Sequence, residues 1–142
     1  MAVLELHLMN LNSTRHCVIE KEWTFPARLV RVIDGDTLRM TLDFGFRIRQ
    51  DHNLRLAGVD TPEMYSGSEE EKAKGRAVAQ MVSTWLFDRS RHTAAHAPGL
   101  SEYPFVVTTD KDRRTFNRFI ALSVRCRESG EDLVEWLKEQ GY

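Results

Sequence analysis

The sequence contains little cysteine, and the cysteines it has form no recognisable pattern. Cys17 and Cys126 are the only two among 142 residues, and no CxxC pair is present. This spacing disfavours a disulfide-based scaffold or a cysteine-based zinc site. We therefore expect both thiols to be reduced and structural.

Long apolar runs are also missing. No segment approaches the roughly 18 consecutive apolar residues of a membrane-spanning helix. The first residues, MAVLELHLMNLN, place Glu5, His7 and Asn10 where a signal peptide needs an unbroken apolar core. The sequence thus predicts a soluble, cytoplasmic chain that does not enter a membrane, unless an upstream signal has been removed.

Neither sign of charge dominates. The chain has 20 Lys and Arg against 21 Asp and Glu, a net charge of −1. A protein that coats long nucleic acids by counterion release needs a large positive excess, so this role is disfavoured. A site that binds one or two phosphates locally is compatible with the same balance. Length and ordinary composition predict one globular domain with a sizeable core.

Alternating apolar and polar residues indicate a mainly β domain. Strands are predicted at residues 27–33, 37–43, 53–59, 105–109 and 118–124, with a polar connection at 44–52. Helices are predicted at 67–88 and 132–140, with a loop at 92–104. Five short strands with a helix after the third predict a five-stranded barrel of the OB-fold type with two helices.

The chain divides into an extension, residues 1–25, and a domain, residues 26–142. Leu4, Leu6 and Leu8 alternate with polar residues, and a second alternating run follows from Arg15 to Lys21. The two runs are predicted to pair as a β-hairpin. Such a hairpin could cover an edge of the domain or join two copies of the chain as a dimer.

Two acids interrupt the strand sequence VIDGDTL at residues 32–38. A hairpin explains Asp34 and Gly35, because Asp-Gly is a strong tight-turn signal. It does not explain Asp36, which is predicted to begin the second strand, where aspartate is disfavoured.

A second unusual stretch is RLAGVDTPE at residues 55–63. A helix start would explain it in part, with Thr61 as N-cap, Pro62 as the first helical residue and Glu63 in the first turn. That interpretation leaves Asp60 at the end of an apolar strand, and Arg55 inside the strand, without a reason.

Considered together, the two stretches favour a polar site. Adjacent barrel strands could bring Asp36 and Asp60 to one rim, where the carboxylates would repel unless a cation lay between them. A hard divalent ion accepts carboxylates, a backbone carbonyl and water as ligands. With Arg55 and an additional acid nearby, such an ion could support attack on a phosphodiester.

VIDGDT, RLAGVDTPE and the later TDKDRRTFNR resemble the staphylococcal nuclease (thermonuclease) family, over residues 27–142. The resemblance implies an OB-type barrel and a calcium-dependent nuclease. This enzyme would hydrolyse phosphodiester bonds of DNA and RNA with low sequence specificity and leave 3′-phosphate ends. Its partners would be single strands or frayed duplexes.

The resemblance also assigns residues. It implies that Asp36, Asp60 and the backbone carbonyl of Thr61 hold Ca²⁺. It implies that Glu63 orients or deprotonates the attacking water and that Arg55 is the first phosphate-binding arginine. Magnesium or manganese in place of calcium remains open at this level.

The second arginine of the family has two candidates. Arg114 matches without a gap, and Arg118 matches if the preceding turn is longer. Arg118 is favoured because the apolar strand FIALSV follows it directly. Asn117 would then occupy a left-handed turn position where the family has glycine. Arg113 and Arg114 become loop residues that could bind the phosphate backbone of the substrate, and Lys111 is a further substrate-binding candidate.

The alternative function is a non-catalytic OB-fold module that binds nucleic acid or protein, and a purely structural calcium site is a weaker third reading. His92 and His96 have the i,i+4 spacing of a zinc pair, but their predicted loop offers no third ligand, so we interpret them as surface histidines. Trp23, Trp85 and Trp136 are predicted to fill the core.

Overall fold

Five strands close into a barrel with the neighbour order β1-β2-β3-β5-β4. The computed structural model describes residues 23–142, so the predicted N-terminal hairpin lies outside the described residues. The strands are β1 Thr24–Asp34, β2 Thr37–Asp43, β3 Arg49–Leu56, β4 Phe105–Thr115 and β5 Arg118–Cys126. Neighbours are antiparallel except β3 and β5, which are parallel. The predicted OB-fold-type architecture is confirmed.

Two α-helices accompany the barrel. They are α1 Glu69–His96 and α2 Leu133–Glu139, and a 3-10 helix, Pro98–Leu100, follows α1. The side chain of Ser68 accepts the N–H of Glu71 at 3.2 Å, and that of Asp132 accepts the N–H of Val134 at 3.0 Å. Each side chain satisfies a backbone donor that the first helical turn leaves free, so Ser68 and Asp132 are the N-caps of the two helices. None of the helices in residues 23–142 combines the length and apolar character needed to cross a membrane.

The core fills the barrel and the space beneath α1 and α2. Alternate side chains of β2 and β3 point inward, as the sequence pattern predicts. Large, fully buried core side chains include Leu38, Met40, Leu54, Leu56, Leu86, Phe105, Leu133 and Leu137. On α1, Val78 and Val82 are buried, whereas Ala77 and Met81 are exposed. The buried face also includes Gly75 and Ala79, small residues that allow α1 to approach the barrel closely.

Several predicted boundaries are wrong, and β3 and α1 differ because each continues through polar sequence. β3 begins at Arg49, so the connection after β2 is a short turn. In this turn the N–H of Phe44 donates to the carbonyl of Ile48, and the N–H of Ile48 donates to the carbonyl of Gly45. α1 continues to His96, since Thr93 is fully buried and anchors its last turns. β1 begins at Thr24, three residues before the predicted start of the strand at Ala27.

The β4–β5 hairpin differs most from expectation. β4 continues to Thr115, so Arg113 and Arg114 lie in a strand and not in a loop. Thr115 pairs with Arg118, which leaves only two residues in the turn. The left-handed residue there is Phe116, with φ 56°, whereas Asn117 was predicted for that conformation. β5 does begin at Arg118, as predicted.

Candidate active site

The β1–β2 turn supplies the first acid of the site. Asp34 pairs with Thr37, so Gly35 and Asp36 form the turn between the strands. This corrects the expectation that Asp36 begins the second strand. Asp36 is thus a turn residue and not a strand residue, and its side chain is largely buried, at 12% exposure.

Close packing explains the glycine of this turn. A Cβ added to Gly35 would lie 2.7 Å from Cγ1 of Val78 and 2.8 Å from Oγ1 of Thr61. Only a residue without a side chain lets the turn contact both α1 and the segment that carries Thr61. Gly35 therefore fixes the distance between the two acidic stretches of the sequence.

Replacing Gly35 with alanine is expected to lower the free energy of unfolding by about 1–3 kcal/mol, the usual cost of overpacking. Urea denaturation would measure the change. Gly99→Ala is the matched control, because a Cβ at Gly99 would meet no heavy atom within 4 Å. The control should be near neutral or slightly stabilising; equal effects of both changes would contradict the packing explanation.

Arg55 lies beside Asp36 because of the β2–β3 register. Thr37 is paired with Arg55, and the N–H of Leu56 donates to the carbonyl of Asp36 at 2.9 Å. Nη2 of Arg55 is 3.4 Å from Oδ2 of Asp36, and Nη1 donates to the carbonyl of Leu56 at 2.6 Å. The guanidinium is thus held in place, with N–H groups left over for another ligand.

Arg118 reaches the same carboxylate through a hydroxyl. Its Nη1 lies 3.4 Å from Oγ1 of Thr37, which donates to Oδ1 of Asp36 at 3.1 Å. The parallel pairing of β3 with β5 brings the start of β5 beside β3, where Arg55 is located. Both arginines are therefore organised around Asp36, one directly and one through Thr37.

The segment after β3 brings the remaining residues. Residues 59–68 are irregular and α1 begins at Glu69, so the interpretation of Thr61 as a helix N-cap is wrong. Val59 and Thr61 are buried and hold the segment to the barrel, while Asp60 and Glu63 are exposed. The N–H of Thr61 donates to Oδ2 of Asp36 at 3.3 Å. This contact joins the two acidic stretches directly.

Glu63 is positioned by α1. A Cβ at Gly75 would lie 2.4 Å from the carbonyl oxygen of Glu63, so the backbone there packs directly on the helix. Ser66 donates a hydrogen bond to Oε2 of Glu63. The carboxylate is therefore oriented, although the residue is exposed to solvent.

All six residues predicted as catalytic or metal-binding line one pocket of about 180 Å³. Two further residues complete the lining. The lining residues are Asp34, Asp36, Arg55, Asp60, Thr61, Pro62, Glu63 and Arg118. The pocket therefore combines four carboxylates with two guanidinium groups.

Asp34 is the site residue that sequence reasoning missed. The hairpin explanation had accounted for it as a turn residue, but it lines the pocket and its Oδ1 is buried without a hydrogen-bond partner in residues 23–142. Burial raises the pKa of Asp34, and the charges of Asp36 and Glu63 raise it further, against the opposing effects of the Met64 N–H and Arg118. The signal in the sequence was the pair of acids flanking one glycine.

The donor chemistry of the pocket fits a hard cation. Carboxylates outnumber guanidinium groups, and Oγ1 of Thr61 is a second buried oxygen without a hydrogen-bond partner among the described residues. No three His, Cys, Asp or Glu side chains in residues 23–142 are grouped so as to hold a metal by themselves. An ion here would need a backbone carbonyl and water in addition to carboxylates, which is the usual coordination of calcium.

The residues predicted to bind the substrate backbone do not line the pocket. Nζ of Lys111 lies 5.8 Å from the ring centre of Trp23. Arg113 forms an ion pair with Asp110 at 3.2 Å. The guanidinium of Arg114 lies over the ring of Phe119 at 5.8 Å. Their predicted role stays a prediction, and the ion pair already compensates the charge of Arg113.

The remaining expectations give mixed outcomes. Trp85 is buried in the core and Trp136 packs against it, but Trp23 is 39% exposed, contrary to prediction. His92 and His96 lie on α1 with ring centres 4.2 Å apart, and Nδ1 of His92 is 3.0 Å from Oε2 of Glu128. The pair is exposed, as predicted for surface histidines.

The fold and pocket together define an OB-type barrel that carries a small, polar site of mixed charge where β1, β2, β3 and β5 meet the segment before α1. Comparison of the sequence with protein-family models found no matching family. The search of curated proteins also found no match.

Proposed function

We propose that this chain is a metal-dependent nuclease of the staphylococcal nuclease type. It would hydrolyse phosphodiester bonds of DNA and RNA with low sequence specificity and leave 3′-phosphate ends. One observation supports the proposal most strongly. The six residues selected from separate stretches of the sequence line a single pocket, although 25 sequence positions separate Asp36 from Thr61 and 81 separate Thr37 from Arg118.

The two arginines would stabilise the transition state. Attack on phosphorus builds negative charge on the equatorial oxygens, and fixed cations that meet this charge lower the barrier. Arg55 and Arg118 are both held by hydrogen bonds before any ligand binds. Guanidinium groups match phosphate oxygens in a bidentate geometry, so these residues suit the task better than lysine would.

Glu63 would orient the nucleophilic water and accept its proton. Ser66 contacts one carboxylate oxygen, which leaves the other available to the water. The residue is exposed at the edge of the pocket, and water can reach it without a conformational change. A positioned carboxylate of this kind fits general-base catalysis.

Asp36, Asp60 and the carbonyl of Thr61 would hold the metal ion, for which Ca²⁺ is our first choice. When bound, the ion supplies positive charge that polarises the phosphoryl group. Without a cation, the acids of the pocket would repel the phosphate, and Arg55 and Arg118 compensate only part of their charge.

Removal of the metal tests the proposal. The purified chain is incubated with denatured DNA in the presence of Ca²⁺ or of a chelator, and acid-soluble nucleotides are measured. We expect degradation with Ca²⁺ and none with chelator, and the products should carry 3′-phosphate ends. Mg²⁺ and Mn²⁺, tested in parallel, identify the preferred ion.

Binding of the same DNA, measured under the same conditions, distinguishes a nuclease from a non-catalytic binding module. DNA that stays intact with every ion, but that binds to the chain, would contradict catalysis and support the non-catalytic OB-fold module. Protection of the fold by Ca²⁺ without any hydrolysis or binding would instead support a structural calcium site.

A further inference from the structure

A line of arginines leads away from the pocket across the outer face of the barrel. Arg55 is paired with Thr37 across β3 and β2. Arg39, two residues after Thr37, faces outward on the same side and is paired with Arg31 of β1. Cross-strand diagonal neighbours such as Arg55 and Arg39 are typically about 7–8 Å apart, and direct partners such as Arg39 and Arg31 about 5 Å.

The Arg31–Arg39 pair is unfavourable without a ligand. Like charges directly opposite each other destabilise an antiparallel pair. Nη1 of Arg39 donates to Asn53 at 3.0 Å, but this partner is neutral. Neither arginine forms an ion pair with an acid in the part of the chain that the structure describes. Arg31 is exposed and Arg39 half-buried, so both guanidinium groups are available to an anion.

A β-bulge creates this pair. Leu29 is paired with Met40 and Arg31 with Arg39, so Val30 is the additional residue of β1. Without the bulge, Arg31 would share the inward face of Ala27 and Leu29. The irregularity thus moves a positive charge from the barrel interior to the outer face, beside the site.

We propose that Arg39 and Arg31 continue the site as a phosphate-binding stripe for a single polynucleotide strand. The strand would leave the pocket at Arg55 and cross β2 toward β1, with phosphates beyond the scissile one bound by Arg39 and Arg31. This inference rests on the proposed function. A polyanion is the ligand that relieves the repulsion between two adjacent guanidinium groups, and the face formed by strands 2 and 3 is where OB-folds bind oligonucleotides.

The stripe replaces the β4–β5 hairpin as the main substrate contact. Arg113 is compensated by Asp110, and neither Arg113 nor Arg114 lines the pocket. Arg39, by contrast, lies on the same strand face as Thr37, which bridges Arg118 to Asp36. A strand that leaves the pocket across β2 therefore passes Arg39, whereas the hairpin arginines lie on the opposite side of β3.

The test compares binding of a fluorescent oligothymidylate at several salt concentrations, in Ca²⁺ and in a Glu63→Gln background that slows cleavage. The variant carries Arg31→Gln and Arg39→Gln, which remove charge but keep polar side chains. We expect affinity to fall about tenfold for each lost contact. The slope of log K against log[salt] should fall in magnitude by about 1.4, since each phosphate contact on a single strand contributes about 0.7.

Two comparison variants make the result specific. Arg91→Gln with Arg125→Gln removes the same charge from exposed positions outside the pocket and should leave the slope nearly unchanged. Arg113→Gln with Arg114→Gln tests the hairpin, and we expect a smaller effect than for the stripe. An unchanged slope in the stripe variant, or equal losses in all three, would overturn the proposal.

Failure of the stripe and failure of the nuclease function give different results. If the chain with its natural arginines degrades the oligonucleotide with Ca²⁺ but the stripe variant binds normally, only the stripe is wrong. If that chain degrades nothing, the nuclease function is wrong, and the binding data still report on the stripe. Thermal unfolding provides the folding control: loss of the Arg31–Arg39 repulsion should not lower the melting temperature.

Discussion

Arg118→Ala is expected to lower kcat on denatured DNA by about 10³-fold, the effect of removing a cation that contacts transferring phosphoryl oxygens. Arg114→Ala should change kcat far less. The reason is position: Arg118 lines the pocket and is joined to Asp36 through Thr37, whereas Arg114 lies over Phe119. Initial rates at saturating DNA and Ca²⁺ would measure both variants.

Arg118→Lys separates charge from shape. Lysine keeps the positive charge but cannot form the bidentate contact, so we expect a rate between those of the alanine variant and the unchanged chain. Circular dichroism and the melting temperature would show that each variant is folded. A larger loss of kcat in Arg114→Ala than in Arg118→Ala would show that the assignment of Arg118 is wrong and that Arg114 is the second phosphate-binding arginine.

The barrel was predictable because its strands are half-buried. Leu38, Met40 and Leu42 alternate with outward-facing residues, and β2 has the bounds that this alternation predicts. The pattern fails where both faces of an element are polar. Residues 49–52 begin β3 and residues 110–115 end β4. Both segments are polar throughout, so they lack the alternation of apolar and polar residues that indicates a strand.

The end of α1 was missed for a related reason. His92 and His96 flank an alanine-rich stretch that carries no apolar stripe, so the sequence suggested a loop. Thr93 joins this end of α1 to the core, because it is fully buried and its Oγ1 lies 3.7 Å from Sγ of Cys126. One buried contact across distant segments leaves no periodic trace in the sequence.

Asp36, Asp60 and Arg55 could be selected from the sequence because acids and an arginine stood where a strand has no use for them. Thr61, Glu63 and Arg118 were assigned by the family resemblance. The packing of these residues could not be predicted. Gly75 in the interior of α1 costs roughly 1 kcal/mol relative to alanine. The structure supplies the reason, since the backbone of Glu63 lies against Gly75.

The register of β1 was equally hidden. Strict alternation from Ala27 and Leu29 would point Arg31 into the barrel, and only the bulge at Val30 turns it outward. Bulges are set by cross-strand pairing and not by local composition. The arginine stripe was therefore absent from the sequence-based description, which assigned substrate binding to the hairpin residues Lys111, Arg113 and Arg114.

Glu63→Gln is expected to lower kcat by about 10²–10⁴-fold, the usual contribution of a general base. Glutamine has the same shape and can still accept the hydrogen bond from Ser66, so the packing of the segment on Gly75 should persist. What it loses is the ability to take a proton. The measurement is the initial rate of DNA hydrolysis at saturating substrate and Ca²⁺.

Glu139→Gln is the matched control, because Glu139 is exposed at the end of α2 and does not line the pocket. Its rate should equal that of the unchanged chain. A Glu63→Gln variant with a full rate would assign the proton transfer to another carboxylate of the pocket, with Asp34 the next residue to replace because it too lines the pocket.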